Sequence, residues 1–263
     1  MPGPSPDRVT IERGDDGVAD VRLTRADKHN GLDRAMFEAI NIAIDELREA
    51  EGLRAVVLSG EGPSFCAGLD FKSFIAGDSE LGDGFERPDG ETANFAQRVA
   101  YGWRELPVPV IAAVQGACLG GGLQIALAAD VRLAAPDTRM SVMEIRYGLV
   151  PDMSLSQTLP GLVRDDVARE LTYSGRIVEA AEAAELGLVT RVAEDPLSEA
   201  LELAAGIATA SPDAIRSAKR LLGEARGSTP AQGLALEAEL QQALIGSPGQ
   251  LAAVAAALGS ESG

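Results

Sequence analysis

PVIAAVQGACLGGGLQ, residues 109–124, decides how this 263-residue chain is read. Pro107-Val108-Pro109 breaks whatever precedes it, because proline fixes its own φ and lacks a backbone donor. Val110–Val114 is then an unbroken apolar run, the pattern of a strand covered on both faces. Gly116 and Gly120-Gly121-Gly122 follow. A helix is expected to begin within or just after the triple glycine and to run to about Ala129. A strand therefore ends in small residues where a helix starts. Small residues let a ligand approach the main chain closely. The free N–H groups of a helix start favour negative charge.

A second stretch has the same layout. Arg54–Ser59 (RAVVLS) reads as a strand, and Gly60-Glu61-Gly62-Pro63 ends it. Ser64-Phe65-Cys66-Ala67-Gly68-Leu69-Asp70 then supplies small residues before the next element. Two such loops facing each other would make an oxyanion hole. Taken singly, either loop reads as a tight turn or a close helix contact. A dinucleotide-binding fingerprint is discounted, because GxGxxG/A fails at Ile125 and no acidic residue follows at the required distance.

Outward from these loops the pattern is α/β. Residues 8–13 and 18–24 read as strands around the turn Gly14-Asp15-Asp16-Gly17. A helix is expected from about 33 to 50, with Phe37, Ile40, Ile44 and Leu47 on one face. Residues 75–92 are rich in Gly, Asp and Glu and have no period, as in a surface excursion or lid beside a pocket. A helix at 92–105 carries the single tryptophan, Trp103. Strands are expected near 130–134 and 139–143. From about 164 the chain reads as mostly helical, with breaks at Ser174-Gly175, Gly187, Ser211-Pro212 and Gly227. Ser211-Pro212-Asp213 has the form of a helix start, with Ser as N-cap and Pro at the first helical position.

Hydrophobic residues make up 46% of the chain, enough for a full core, and the formal net charge is −17. That balance argues against broad contact with nucleic acid or an anionic membrane. A few local cations still suffice for a phosphorylated small molecule. Cys66 and Cys118 sit in apolar segments without CxxC spacing, as reduced cysteines of a cytoplasmic protein do. The opening MPGPSPDRVTIERGDDG has no apolar core, so no signal peptide is expected, and no run is long enough for a membrane span. His29, the only histidine, lies in a polar loop with no Ser or Cys partner at a recognised spacing and reads as a bystander. No His, Cys and carboxylate cluster suggests a metal.

Five stretches together resemble the crotonase superfamily, the enoyl-CoA hydratase/isomerase family. They are LTRADKHNGLD (23–33), RAVVLSGEGPSFCAGLDFKSF (54–74), PVIAAVQGACLGGGLQIALAADVRLAA (109–135), MEIRYGLVPD (143–152) and ELTYSGRIVEAAEAAELGLVTRV (170–192). The resemblance implies a spiral of ββα repeats over residues 1–195. It implies a helical C-terminal region over 196–263 that drives homotrimers, often paired into hexamers. The implied substrate is an acyl-CoA, with coenzyme A part of the substrate and no separate cofactor. The implied oxyanion donors are the N–H groups of Leu69 and Gly121. The CoA-binding positions carried over are Lys28, Asn30, Leu32, Ala67, Gly68, Asp70, Phe71 and Lys72, with Lys28 and Lys72 facing the phosphates. Many members end in aromatic and basic residues that reach a neighbour's CoA. GQLAAVAAALGSESG (249–263) has none, though Leu251, Val254 and Leu258 can pack on a partner.

The acid–base positions depart from the hydratase pattern. Family hydratases use two glutamates. The second maps to Glu144, flanked by apolar Met143 and Ile145, which would raise its proton affinity. The first position holds Gln124, and an amide neither takes nor gives a proton at neutral pH. Asp152 lies eight residues beyond Glu144, a spacing similar to that of the dienoyl-CoA isomerases. Those isomerases also carry an aspartate where this chain has Gln124, and Asp152 equally reads as an N-cap. The expected reaction is double-bond isomerisation of an enoyl- or dienoyl-CoA, with Glu144 shuttling the proton and Asp152 assisting. The alternatives are a 2-enoyl-CoA hydratase of fatty-acid β-oxidation, with Gln124 holding the water, and a non-catalytic acyl-CoA-binding protein.

Overall fold

The structure is a computed structural model that describes residues 8–71 and 85–260. Lys72 and most of the 75–92 excursion lie outside the described residues. Strands β1 (Val9–Arg13) and β2 (Val18–Leu23) form an antiparallel hairpin. Helix α1 (Arg34–Glu49) starts where the Asp33 carboxylate accepts from the Met36 N–H at 2.8 Å. It buries Phe37, Ile40, Ile44 and Leu47, the face its 3.6-residue period marks out. The chain returns as β3 (Ala55–Gly60), parallel to β2.

Helix α2 (Phe95–Glu105) opens with a reciprocal Asn94–Gln97 capping box and buries Trp103. Then come β4 (Val110–Val114), β5 (Ala117–Leu119), α3 (Gly121–Ala128), β6 (Val131–Ala134) and β7 (Arg139–Ser141). A short helix α4 (Leu155–Thr158) and α5 (Asp165–Ser174) lead to β8 (Val178–Glu179), α6 (Ala180–Leu186) and β9 (Arg191–Val192). Four helices complete the described residues: α7 (Pro196–Ala208), α8 (Pro212–Glu224), α9 (Pro230–Leu244) and α10 (Pro248–Ser260).

Among the described residues the strands form two sheets. One runs β1-β2-β3-β4-β6-β9 and is parallel except for β1. The other runs β5-β7-β8. The chain steps from the first sheet to the second at Gly116, whose φ of +53° suits glycine. A Cβ there would collide with the Pro63 carbonyl. Strand, step, strand and helix make the ββα unit that the resemblance implied. Strand β5 went unseen in the sequence because three residues carry no period.

Both faces of the main sheet are covered, as the apolar runs of β3 and β4 require. Helices α1, α2 and α3 pack on one face. On the other, Val57, Ile111 and Leu133 meet Ala200 and Ala204 of α7. Helix α7 thus lies beyond residue 195 in sequence yet shares a core with the sheet. Pro212 is the first residue of α8 as expected, but the Ser211 hydroxyl caps nothing. Its oxygen is buried without a hydrogen-bond partner among the described residues. No described helix is long and apolar enough to cross a membrane.

Candidate active site

The two glycine loops are stitched together. Cys66 and Cys118 pair as an isolated parallel bridge. The Cys66 N–H donates to the Ala117 carbonyl and the Leu119 N–H to the Cys66 carbonyl, both at 3.0 Å. Buried Asn30 fastens the first loop from behind. Its amide nitrogen donates to the carbonyls of Glu61, Ser64 and Phe65 at 2.8–3.1 Å. Leu32 bridges Leu69, its N–H donating to the Gly68 carbonyl at 2.8 Å. The Arg25 guanidinium pairs with Asp70 at 3.0 Å and Asp33 at 3.3 Å, tying this loop to the start of α1.

This stitching brings two main-chain N–H groups, those of Leu69 and Gly121, to one cavity. Gly121 is the first residue of α3, so its N–H has no acceptor within the helix. Among the described residues, neither it nor the Leu69 N–H donates to a protein carbonyl. Both residues line a cavity of about 710 Å³. Glu144 and Asp152 also line it, and the rest of its wall is largely apolar, including Phe37, Phe85, Leu149 and Met153. Phe71 and Tyr147 stack at its edge with ring centroids 4.1 Å apart.

Glu144 begins a single tight helical turn, Glu144–Tyr147. Its Oε1 accepts from Gln124 Nε2 at 2.6 Å. Its Oε2 is buried and has no hydrogen-bond partner among the described residues. Burial raises the proton affinity of Glu144 above that of an ordinary glutamate, and the negative charge of Asp152 adds to this. Hydrogen bonds from its own N–H and from Gln124 pull partly the other way. Asp152 is also raised, by burial. It is the more exposed of the two and borders a second, polar cavity of about 290 Å³ beside Gln97, Tyr101 and Ser156.

Gln124 is buried within α3. Its carbonyl oxygen accepts from the N–H groups of Met153 at 2.8 Å and Leu155 at 3.2 Å. The N-cap of α4 is Ser154, with φ +74°, so Asp152 does not cap that helix.

The sequence-predicted positions are only partly gathered here. Leu32, Ala67, Gly68, Leu69, Phe71, Gly121, Glu144 and Asp152 share the cavity. Gln124 stands behind Glu144, Asn30 is buried under the loop, and Asp70 is paired with Arg25. Lys28 is exposed, and Lys72 lies outside the described residues. Exposed His29 does have a serine partner, its Nδ1 standing 2.9 Å from Ser64 Oγ. The left-handed backbone at His29 and Asn30 folds that loop over a residue distant in sequence. Sequence reasoning missed Tyr147, Leu149 and Met153. Their one signal was an apolar run inside a segment read for its carboxylates.

Known proteins resemble this chain in sequence and fold. The model of the enoyl-CoA hydratase/isomerase family matches residues 13–249. YngF of Bacillus subtilis (strain 168), assigned to that family by name, is 34% identical over 244 residues, 91% of this chain and 90% of its own. The mitochondrial Delta(3,5)-Delta(2,4)-dienoyl-CoA isomerase of Mus musculus is 34% identical over 220 residues, 77% of this chain and 64% of that protein. The crystal structure of an enoyl-CoA hydratase from Bacillus anthracis superposes with a TM-score of 0.86 at 28% identity, covering 96% of each chain. The chain belongs to the enoyl-CoA hydratase/isomerase family of the crotonase superfamily. Its relatives include hydratases and an isomerase, so membership alone does not choose the reaction.

Proposed function

We propose that this enzyme moves the double bond of an enoyl- or dienoyl-CoA, with Glu144 as the proton shuttle. One observation carries the reading. Of the two family carboxylate positions, only Glu144 holds an acid, and the residue at the other, Gln124, is bonded to it. Hydration needs an activated water and a proton donor. Double-bond migration needs one base that reaches two carbons.

The thioester carbonyl sits against the Leu69 and Gly121 N–H groups, which stabilise the oxygen as negative charge develops. Glu144 takes the C2 proton of a 3-enoyl thioester and leaves a dienolate. The same proton returned to C4 gives the 2-enoyl product, with no atom gained or lost. For a 3,5-dienoyl chain the distant carbon to be protonated is C6. Asp152, on the same cavity, then donates that proton, and the pair is reset as Glu144 releases its proton to solvent and Asp152 takes one up. Burial raises the proton affinities of both groups, which favours their holding and passing a proton.

Lys28 and Lys72 would meet the CoA phosphates, and the Leu32 and Ala67–Phe71 segments would border the pantetheine. A homotrimer or a hexamer is the proposed assembly, built through the region after 195. Exposed Leu222, Leu234, Ile245, Leu251, Val254 and Leu258 on the C-terminal helices and the loop between them support it. The proposed compartment is the cytoplasm, supported by two free buried cysteines.

The second reading is hydration of a 2-enoyl-CoA. The polar cavity behind Asp152, a place for water, favours it. The test compares kcat/KM for 2-enoyl-, 3-enoyl- and 3,5-dienoyl-CoA. Isomerisation lost in Glu144→Gln is expected. Efficient hydration of 2-enoyl-CoA that survives Glu144→Gln would sink the proposal.

A further inference from the structure

The carbonyl oxygen of Gln124 faces two backbone donors, the N–H groups of Met153 and Leu155. A backbone N–H cannot become an acceptor. The amide orientation is therefore decided by its surroundings, since a flipped amide would set its NH₂ against both donors. The Gln124 nitrogen must then face Glu144, where it donates to Oε1 at 2.6 Å. Oε1 has to remain an acceptor whether Glu144 is ionised or not.

We propose that Gln124 is a positioning residue that confines the transferred proton to Oε2 of Glu144 and ties this carboxylate to the segment carrying Asp152. The inference rests on Glu144 being the base. Oε2 is the carboxylate oxygen without a hydrogen-bond partner among the described residues, so it is the one left to the chemistry. A single amide spans the Glu144 turn and the Met153–Leu155 backbone, so it also sets the spacing of the two acids.

A glutamate at position 124 would behave differently. One of its oxygens could accept from Met153 and Leu155 as the amide does. The other would meet Glu144 Oε1 with no donor between them, and two carboxylates that close share a proton. Gln124 thus lets Glu144 titrate singly, where a glutamate would make a coupled pair. Among the described residues, the charge that bears on Glu144 is that of Asp152. Arg169 and Glu170 of α5, which packs against the Glu144 turn, are held in pairs with Asp165 and Arg176. Arg146 of the same turn is exposed.

The experiment is the pH profile of kcat/KM for isomerisation in the wild type, Gln124→Glu and Gln124→Met. A ¹³C NMR titration of the Glu144 carboxyl, assigned with Glu144→Gln, runs beside it. Binding of a saturated acyl-CoA shows that each variant is folded. Gln124→Glu keeps the two backbone hydrogen bonds and is expected to split the acidic limb into two steps. Its kcat should fall roughly tenfold or more at mildly acid pH, with KM little changed. Gln124→Met removes the hydrogen bond that lowers the proton affinity of Glu144, so its acidic limb should move to higher pH. Folded variants with the wild-type limb and the wild-type NMR titration would overturn the proposal. A fully active Glu144→Gln enzyme would instead remove the base assignment beneath it, and the NMR titration separates the two failures.

Discussion

A Cβ placed on Gly68 would stand 3.5 Å from the backbone nitrogen of Gly121 and 2.6 Å from the Leu119 carbonyl oxygen. The two loops touch because position 68 has no side chain. Gly68 also holds φ at +84°, where an L side chain is strained.

Gly68→Ala is therefore expected to push the loops apart. Stability should fall by about 1–3 kcal/mol, the usual cost of such strain. If the Leu69 and Gly121 N–H groups act as a pair, kcat should fall by roughly 10²-fold. Gly52 supplies the control, with φ +72° and, among the described residues, nothing within 4 Å of its Cβ position. Gly52→Ala should lose stability while kcat holds. Equal kcat losses in the two variants, measured beside denaturant unfolding, would count against the paired loops.

Glu144 also gives stability a pH dependence. Its proton affinity is higher in the folded chain than in an ordinary glutamate. Between the unfolded and folded values the native state binds more protons, so stability falls as pH rises through that window. Glu144→Gln removes this loss. The variant should melt above the wild type at neutral pH, and the gap should close on acidification below the ordinary glutamate range. A variant that melts lower at neutral pH would contradict the burial cost.

Asp152→Asn separates the two substrate types. If Asp152 protonates only the distant carbon, turnover of a 3,5-dienoyl-CoA should drop by roughly 10²–10⁴. The one-base 3-enoyl reaction should change far less. Initial rates on both substrates decide this, and equal losses would make Asp152 a structural acid.

The cysteines should be inert in the native protein. Both are buried, and burial pushes the Cys66 thiol up to about 12 and Cys118 well above its ordinary value. The thiolate is the reactive form. A thiol-reactive dye at mildly alkaline pH should modify neither in the folded chain and both in denaturant. Rapid labelling of native protein would mean that the bridge between the loops opens readily.

The strand at Val110–Val114 and the helix start at the triple glycine were legible because they are local. An apolar run, a turn residue and a capping position each act within a few residues. The same holds for α1, whose buried face its sequence period marks. Strands β5, β8 and β9 were not legible, since two or three residues have no period and exist only through their partners. His29 gained Ser64 in the same way, across 35 residues of sequence.

By itself, then, the sequence determined the frame and the chemistry available on it: two glycine loops at element ends, an acid at 144 and an amide at 124. The tertiary structure decided what that amide does. Its partners lie at 144, 153 and 155, on segments brought together only by packing around α3. Hydrogen bonds reach about 3 Å whatever the separation in sequence. The orientation of Gln124, and with it the oxygen of Glu144 left without a partner among the described residues, is therefore a property of the folded chain.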